Sequence, residues 1–202
     1  MLSFTIAQLH EAKACGLDWR LYDLVYALGR RPGENESIGL DVWARIPDEE
    51  GSGFSASNED LVWCLRFCPT EAVRITRDLN LFTAYRMLPI FEAAYPSHVL
   101  YRSMLEKVKE DPHKRFSYAE EDFLWARIRE IENETFPSFT FHMGGPANKA
   151  FLSILYALRA YPHIHLDAVI FMAQHCVKAA SHFNRAASLA IREELLRLCS
   201  SL

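Results

Sequence analysis

The sequence lacks the short patterns that usually mark an active site. It contains no GxSxG turn for a serine nucleophile and no GxxxxGK[ST] or GxGxxG loop for phosphate groups. It also contains no HExxH or CxxC pair, the spacings typical of zinc sites. These absences argue against the hydrolases, nucleotide-binding enzymes and zinc enzymes that carry such patterns, and no cofactor is expected.

Long apolar runs and an excess of positive charge are missing as well. The longest apolar runs fall far short of the roughly 20 residues that a membrane-spanning helix needs. The formal net charge is −4, whereas a general nucleic-acid binder usually presents a basic face. We therefore expect neither a membrane span nor direct binding of nucleic acid.

Disulfide and export signals are absent too. The cysteines are few and scattered, and the N-terminus has no basic stretch followed by an apolar run. Both features predict a cytoplasmic protein with reduced and mostly buried thiols. The five cysteines are Cys15, Cys64, Cys68, Cys176 and Cys199.

Helical periodicity dominates what the sequence does contain. Many apolar residues recur at the i, i+3, i+4 and i+7 spacing of an amphipathic helix. Strand alternation is weak, and residues 136–142 are interpreted as a loop or one edge strand. The sequence predicts an all-α fold, a single domain over residues 1–202 with roughly eight to nine helices. These helices would pack as antiparallel pairs or as an irregular solenoid, with a sub-boundary at 134–146 as an option.

Capping and stop signals predict several helix ends. Ser57 and Asp60 form a loose capping box, with an acidic side chain three residues after a serine. An earlier helix is expected between Asp18 as its cap and Gly29 as its stop. Pro146 follows two glycines, so it is expected in the first turn of a late helix.

Pro89 interrupts an otherwise good helical pattern, where a proline removes one amide donor and crowds the preceding turn. Thr70 is expected to begin a short helix, and a separate helix follows with an apolar stripe from Leu81 to Tyr95. This second helix either ends near Met87 or continues with a kink at Pro89. The unbroken apolar phase favours the continuous helix, with the break after Tyr95.

The stretch from residue 33 to 60 differs from the rest of the chain in charge. It contains eight acidic side chains and one basic side chain, so it carries −7 while the remainder carries +3. The loop-rich part at 30–57 is either a solvated connector or an acidic surface that selects a basic partner. Trp43 would anchor such an interface unless it packs back onto the domain. The candidate partner-binding residues are Glu34, Glu36, Asp41, Trp43, Asp48, Glu49 and Glu50.

Late in the chain, His175, Cys176 and His182 are the candidates for an enzyme. The two histidines are seven residues apart, so one helical face could carry both. A cysteine nucleophile would need a histidine brought close by the fold. The alternative hypothesis is therefore a helical hydrolase or metal-dependent enzyme that uses this region, although the wide spacing is more typical of satisfied or surface histidines than of a metal site.

The C-terminal helix raises a third hypothesis, a homo-oligomeric scaffold. Its apolar strip could serve either the core or a second copy of the chain. The strip consists of Leu189, Arg192, Leu195, Leu196 and Cys199.

Three parts of the first half carry a recognisable combination of motifs. The opening FTIAQLHEAKACGLDWRLYDLV contains Thr5, Ile6, Leu9, Ala14, Cys15 and Leu17. The second part is the tryptophan-bearing LVWCLR helix, and the third is MLPIFEAAYP, at residues 87–96. Together these parts resemble a helical immunity protein family found in bacteria and their phages, which implies a bacterial host cell for the chain. Residues 100–202 depart from that family, because they are richer in large aromatic residues and poorer in alanine.

The resemblance implies an all-helical, non-catalytic protein that binds and neutralises a bacterial effector. That effector would be a toxin or, for a phage-encoded anti-defence inhibitor, a protein of a defence system. A basic nuclease would be a natural target, since an acidic surface can occupy a phosphate-binding groove. No binding residue of the family is carried over to this chain.

Overall fold

A computed structural model describes residues 2–12, 24–44, 57–96, 99–111, 146–161 and 165–200, with single positions at 119, 122 and 126. Within these residues the prediction of an all-α fold is confirmed. The only sheet that they contain has two strands of two residues each. Nearly all of their buried apolar side chains, from Leu2 to Cys199, belong to one contiguous core.

The elements follow one another in this order. The N-terminal part contains β1 (Ser3–Phe4), α1 (Ile6–Glu11), a helical stretch at 24–28, β2 (Ile38–Gly39) and α2 (Leu40–Ala44). The middle contains α3 (Asn58–Trp63), a 3-10 helix (Cys64–Phe67), α4 (Pro69–Ala94) and α5 (Leu100–Glu110). The C-terminal part contains α6 (Pro146–Ala160), α7 (Leu166–Ser181) and α8 (Arg185–Ser200).

The long helix α4 runs unbroken for 26 residues. The prediction of a short helix from Thr70 and a separate one after it is therefore wrong. Pro69 lies in the first turn, where a missing amide leaves no intrahelical bond unmade. The continuous-helix interpretation at Pro89 is confirmed, and Pro89 is exposed, so its ring does not displace core side chains. The helix ends at Ala94, with Tyr95 as its C-cap, at the predicted break.

The four helices α5, α6, α7 and α8 pack against α4. In addition, α6 and α3 both pack against α7. A solenoid would bring each helix mainly against its neighbours in the chain. This arrangement is instead a bundle centred on α4. The apolar face of α7 is buried at Val169, Ile170, Ala173, Cys176, Val177 and Ala180.

The local end signals are also confirmed where the structure describes them. Ser57 and Asp60 form the full capping box of α3, and α6 begins at Pro146. Gly29 ends the helical stretch at 24–28 with a φ of 67°, in the left-handed region that glycine tolerates best. The cap predicted at Asp18, the strand option at 136–142 and most of the sub-boundary at 134–146 lie outside the described residues.

The small sheet was not predicted. β1 and β2 pair antiparallel, with Ser3 opposite Gly39 and Phe4 opposite Ile38. Two-residue strands are too short to show alternation, so only the tertiary contact reveals them. The sheet joins the N-terminus to the acidic segment. None of the described helices combines the length and the apolar character needed to cross a membrane.

Candidate functional site

The first part of the acidic segment is an ordered loop closed by its own ion pair. The Arg30 guanidinium makes two hydrogen bonds with the Glu36 carboxylate, one of them 2.8 Å from Nη1 to Oε2. The Gly33 amide donates to the same carboxylate at 3.1 Å, and the Glu36 amide donates to the Gly33 carbonyl. These bonds, above all those from Arg30, lower the pKa of Glu36 to about 2. Glu36 is therefore an internal clamp of the loop.

The same loop is attached to the N-terminal elements. The Ala7 amide of α1 donates to the Glu34 carbonyl at 3.0 Å, and the Leu40 amide donates to the Leu2 carbonyl at 2.9 Å. The Ser37 hydroxyl donates to Ser3 Oγ at 2.7 Å. Glu34 itself is exposed. The loop therefore presents the Glu34 carboxylate from a backbone that is fixed at both ends.

Trp43 is buried and does not lie on the surface of the acidic segment. On α2 it is 3% exposed, and its ring stacks on Phe4 with the centroids 5.8 Å apart. Phe4 contacts Phe67 as well, at 5.3 Å. The assignment of Trp43 as a partner-binding residue is corrected, because burial in this aromatic cluster leaves almost none of its ring accessible. Its indole Nε1 is buried and has no hydrogen-bond acceptor among the described residues.

The other acidic candidates differ in position. Asp41 lies half-buried in the first turn of α2, where a carboxylate favours the positive end of the helix dipole. Asp48, Glu49 and Glu50 lie outside the described residues. The structure thus assigns a stabilising position to Asp41 and Glu36 and leaves Glu34 as the exposed acid.

The three candidates for an enzyme do not converge. His175 is half-buried between Tyr156, which stacks on it at 4.9 Å, and Phe171, whose ring lies edge-on at 4.4 Å. Burial, and then the charge of Lys178, lower the pKa of His175. His182 is exposed and follows the last turn of α7. Seven residues of helix separate the two backbones by about 10.5 Å along the axis, too far for one metal ion.

Cys176 is unsuited to act as a nucleophile in this position. It is fully buried, its Sγ lies 3.5 Å from the Ser153 hydroxyl, and burial raises the pKa of its thiol to about 12. A thiol is reactive as its thiolate, which this environment disfavours. Within the described ranges, no group of three His, Cys, Asp or Glu side chains could hold a metal ion.

Asn58, at the start of α3, forms a buried polar junction that no sequence pattern around it indicates. Asn58 is 0% exposed, and its Nδ2 donates to Ser181 Oγ at 2.8 Å and to the Ser188 carbonyl at 3.0 Å. Its Oδ1 accepts from Arg192 Nε at 3.3 Å, and Arg192 Nη1 donates to the Ala44 carbonyl at 3.2 Å. This Asn58 junction joins α2, α3, α7 and α8. It therefore fixes α2 and the start of α3, both of which belong to the acidic segment at 33–60.

A signal for this junction was present in the C-terminal strip. Arg192 stands among apolar positions there, and a charged residue on an apolar face is informative because it needs buried partners. Arg192, Leu195 and Cys199 are all buried, whereas Leu189 is 49% exposed. Most of the strip therefore belongs to the core, which removes the main sequence argument for a homo-oligomeric surface.

No family model, no curated protein and no solved structure matches this chain. The likeness to helical immunity proteins therefore stays a prediction from the residues that carry it.

Proposed function

We propose that the chain is a non-catalytic protein-binding inhibitor that neutralises a bacterial effector, either a toxin or a protein of a defence system. The observation that carries the proposal is the ordered loop at 30–36, which presents the exposed Glu34 carboxylate at the start of the −7 stretch. Arg30, Gly33 and Glu36 close it, and the backbone bond from Ala7 fixes Glu34. An acidic group that is already ordered loses less conformational entropy when a partner binds.

Charge supports a basic partner. The −7 stretch at 33–60 contrasts with +3 for the rest of the chain. A basic effector surface would be attracted to this part of the molecule, which raises the rate of encounter and selects the orientation. A basic nuclease has such a surface where it binds phosphate, so an inhibitor that covers it blocks the substrate.

The environment of the enzyme candidates also favours a binding role. The buried thiol of Cys176 and the separation of His175 from His182 supply neither an activated nucleophile nor a shared metal site. The described residues thus support binding better than catalysis.

The proposal is tested with a variant that neutralises Glu34 and the three acids at 48–50 of the acidic segment and keeps the loop clamp. The variant carries Glu34→Gln, Asp48→Asn, Glu49→Gln and Glu50→Gln, and retains Glu36 because that carboxylate closes the loop. The effector is first captured from a lysate of the native host and then titrated by calorimetry at low and high salt. We expect salt-sensitive binding and an affinity about tenfold lower for the variant.

A matched control neutralises four exposed acids elsewhere, through Glu106→Gln, Glu110→Gln, Asp122→Asn and Glu193→Gln. It has the same net charge as the test variant, and its affinity should stay close to that of the natural chain. Equal affinity of the test variant and the natural chain would contradict the acidic-surface mechanism. Equal losses in both variants would mean that only total charge matters.

A further inference from the structure

A second buried asparagine, Asn80 in α4, lacks the hydrogen bonds that its position demands. It is 2% exposed, and neither Nδ2 nor Oδ1 has a hydrogen-bond partner within the described part of the chain. Asn58 has the same side chain and is equally buried, yet both of its amide atoms are bonded. A buried unpaired amide lowers the folding equilibrium constant by about one to two orders of magnitude.

The polar neighbours of Asn80 on α4 are already engaged. Thr76 donates its hydroxyl to the Ala72 carbonyl at 2.6 Å, and Thr83 donates to the Leu79 carbonyl at 2.7 Å. These bonds return to the backbone of the same helix and do not involve the carboxamide. Asn80 therefore brings a donor group and an acceptor into the core, while the hydroxyls of Thr76 and Thr83 are bonded to the helix backbone.

The chemistry of the carboxamide decides what would satisfy it. Its NH2 group donates two hydrogen bonds and its oxygen accepts, so a suitable molecule must both donate and accept. An anion only accepts hydrogen bonds, so it would leave Oδ1 unpaired. A cation would be repelled by the buried guanidinium of Arg77, which lies one turn away and donates to the Tyr161 carbonyl at 2.8 Å. A small neutral molecule remains.

We propose that Asn80 anchors an internal binding site for one water molecule within the bundle around α4. Buried waters in proteins typically make about three hydrogen bonds to groups that would otherwise be unpaired. The carboxamide of Asn80 offers both a donor and an acceptor to such a water molecule. Asn80 belongs to α4 and not to the loop at 30–36. The proposed water site is independent of the proposed inhibitor function.

The first test is the sign of a stability change. Asn80→Leu keeps nearly the same volume and removes all polar atoms. If a bound water satisfies Asn80, the variant loses those bonds, and we expect its folded-to-unfolded ratio in urea titration to fall about tenfold. If the amide is truly unpaired, the same change removes a penalty and the variant becomes more stable. Thr83→Val, which loses a single bond to its own helix, is the matched control and should change less.

The second test uses the natural chain, so it does not depend on whether a variant folds. Magnetisation exchange between water and the Asn80 side-chain amide is measured by NMR on the 15N-labelled full chain. We expect a cross-peak from a long-lived water molecule at that amide. Its absence overturns the proposal whatever the stability data show, and so does a stabilised Asn80→Leu variant.

Discussion

Asn58 and Asn80 carry the same side chain at the same depth, and the protein treats them in opposite ways. Asn58 links four helices through Ser181, Ser188 and Arg192. Asn80 lies inside the longest helix and bonds to no described residue. Burial alone therefore does not reveal what a polar side chain does. Its hydrogen-bond partners reveal it.

The difference follows from where the two residues lie in the architecture. Asn58 begins α3, at a place where helices distant in the sequence meet and where apolar contacts alone would permit several orientations. Directional bonds select one of them, as buried polar groups do in some other proteins. Asn80 lies within one continuous helix that apolar packing already positions. Its carboxamide is free of an architectural role and available to a small molecule.

The largest expected effect comes from removing the first of these side chains. Asn58→Leu deletes every bond of the Asn58 junction and leaves the Arg192 guanidinium buried with fewer acceptors. We expect the free energy of unfolding to fall by about 3 kcal/mol. Urea titration measures this, and the same substitution at Asn80 should have the smaller effect. Similar losses at both sites would break the comparison.

A double-mutant cycle attributes the loss to the buried charge. Arg192→Met removes the guanidinium that Asn58 accepts from, at similar length. In that background Asn58→Leu should be less harmful, with a coupling free energy of about 1–2 kcal/mol. Additive losses would show that the two side chains act separately.

The contrast also explains how much of the fold the sequence could predict. The capping box at Ser57 and the break after Tyr95 depend on residues within a few positions of each other, so local patterns predicted them. The Asn58 junction depends on Ser188, 130 positions away. No spacing rule reaches that far without knowledge of the fold.

The candidate site shows the same division. The exposed position of Glu34 agrees with a charge count along the chain. The burial of Trp43 depends on Phe4, which the two-residue strands bring beside it, and neither strand has a detectable pattern. A charge count does not distinguish a free carboxylate from one that is bonded to Arg30, so it places Glu36 among the surface acids.

The next effect in size concerns the cap that orients Asn58. Ser57→Ala removes the side chain that accepts from the Asp60 amide at 3.2 Å, and we expect a loss of about 1 kcal/mol. Thr5→Ala is the matched control, because Thr5 forms an equivalent box with Gln8 that shares no residue with the junction. Combined with Asn58→Leu, the cost of Ser57→Ala should shrink, while that of Thr5→Ala should not. Strict additivity in both cases would show that the cap does not position Asn58.

The smallest effect is expected at the exposed ion pair between Arg30 and Glu36 that closes the loop at 30–36. Arg30, followed by the Gly33 amide, lowers the pKa of Glu36 from its usual 4.5 to about 2. The stabilisation is therefore complete above pH 4.5 and is lost as the pH falls through the folded-state value. An NMR titration of the Glu36 carboxyl should show a midpoint near 2, and Arg30→Gln should raise it. A midpoint near 4.5 in the natural chain would mean that the clamp is open in solution. The overall stability should change little, because solvent screens an exposed pair that holds only one loop.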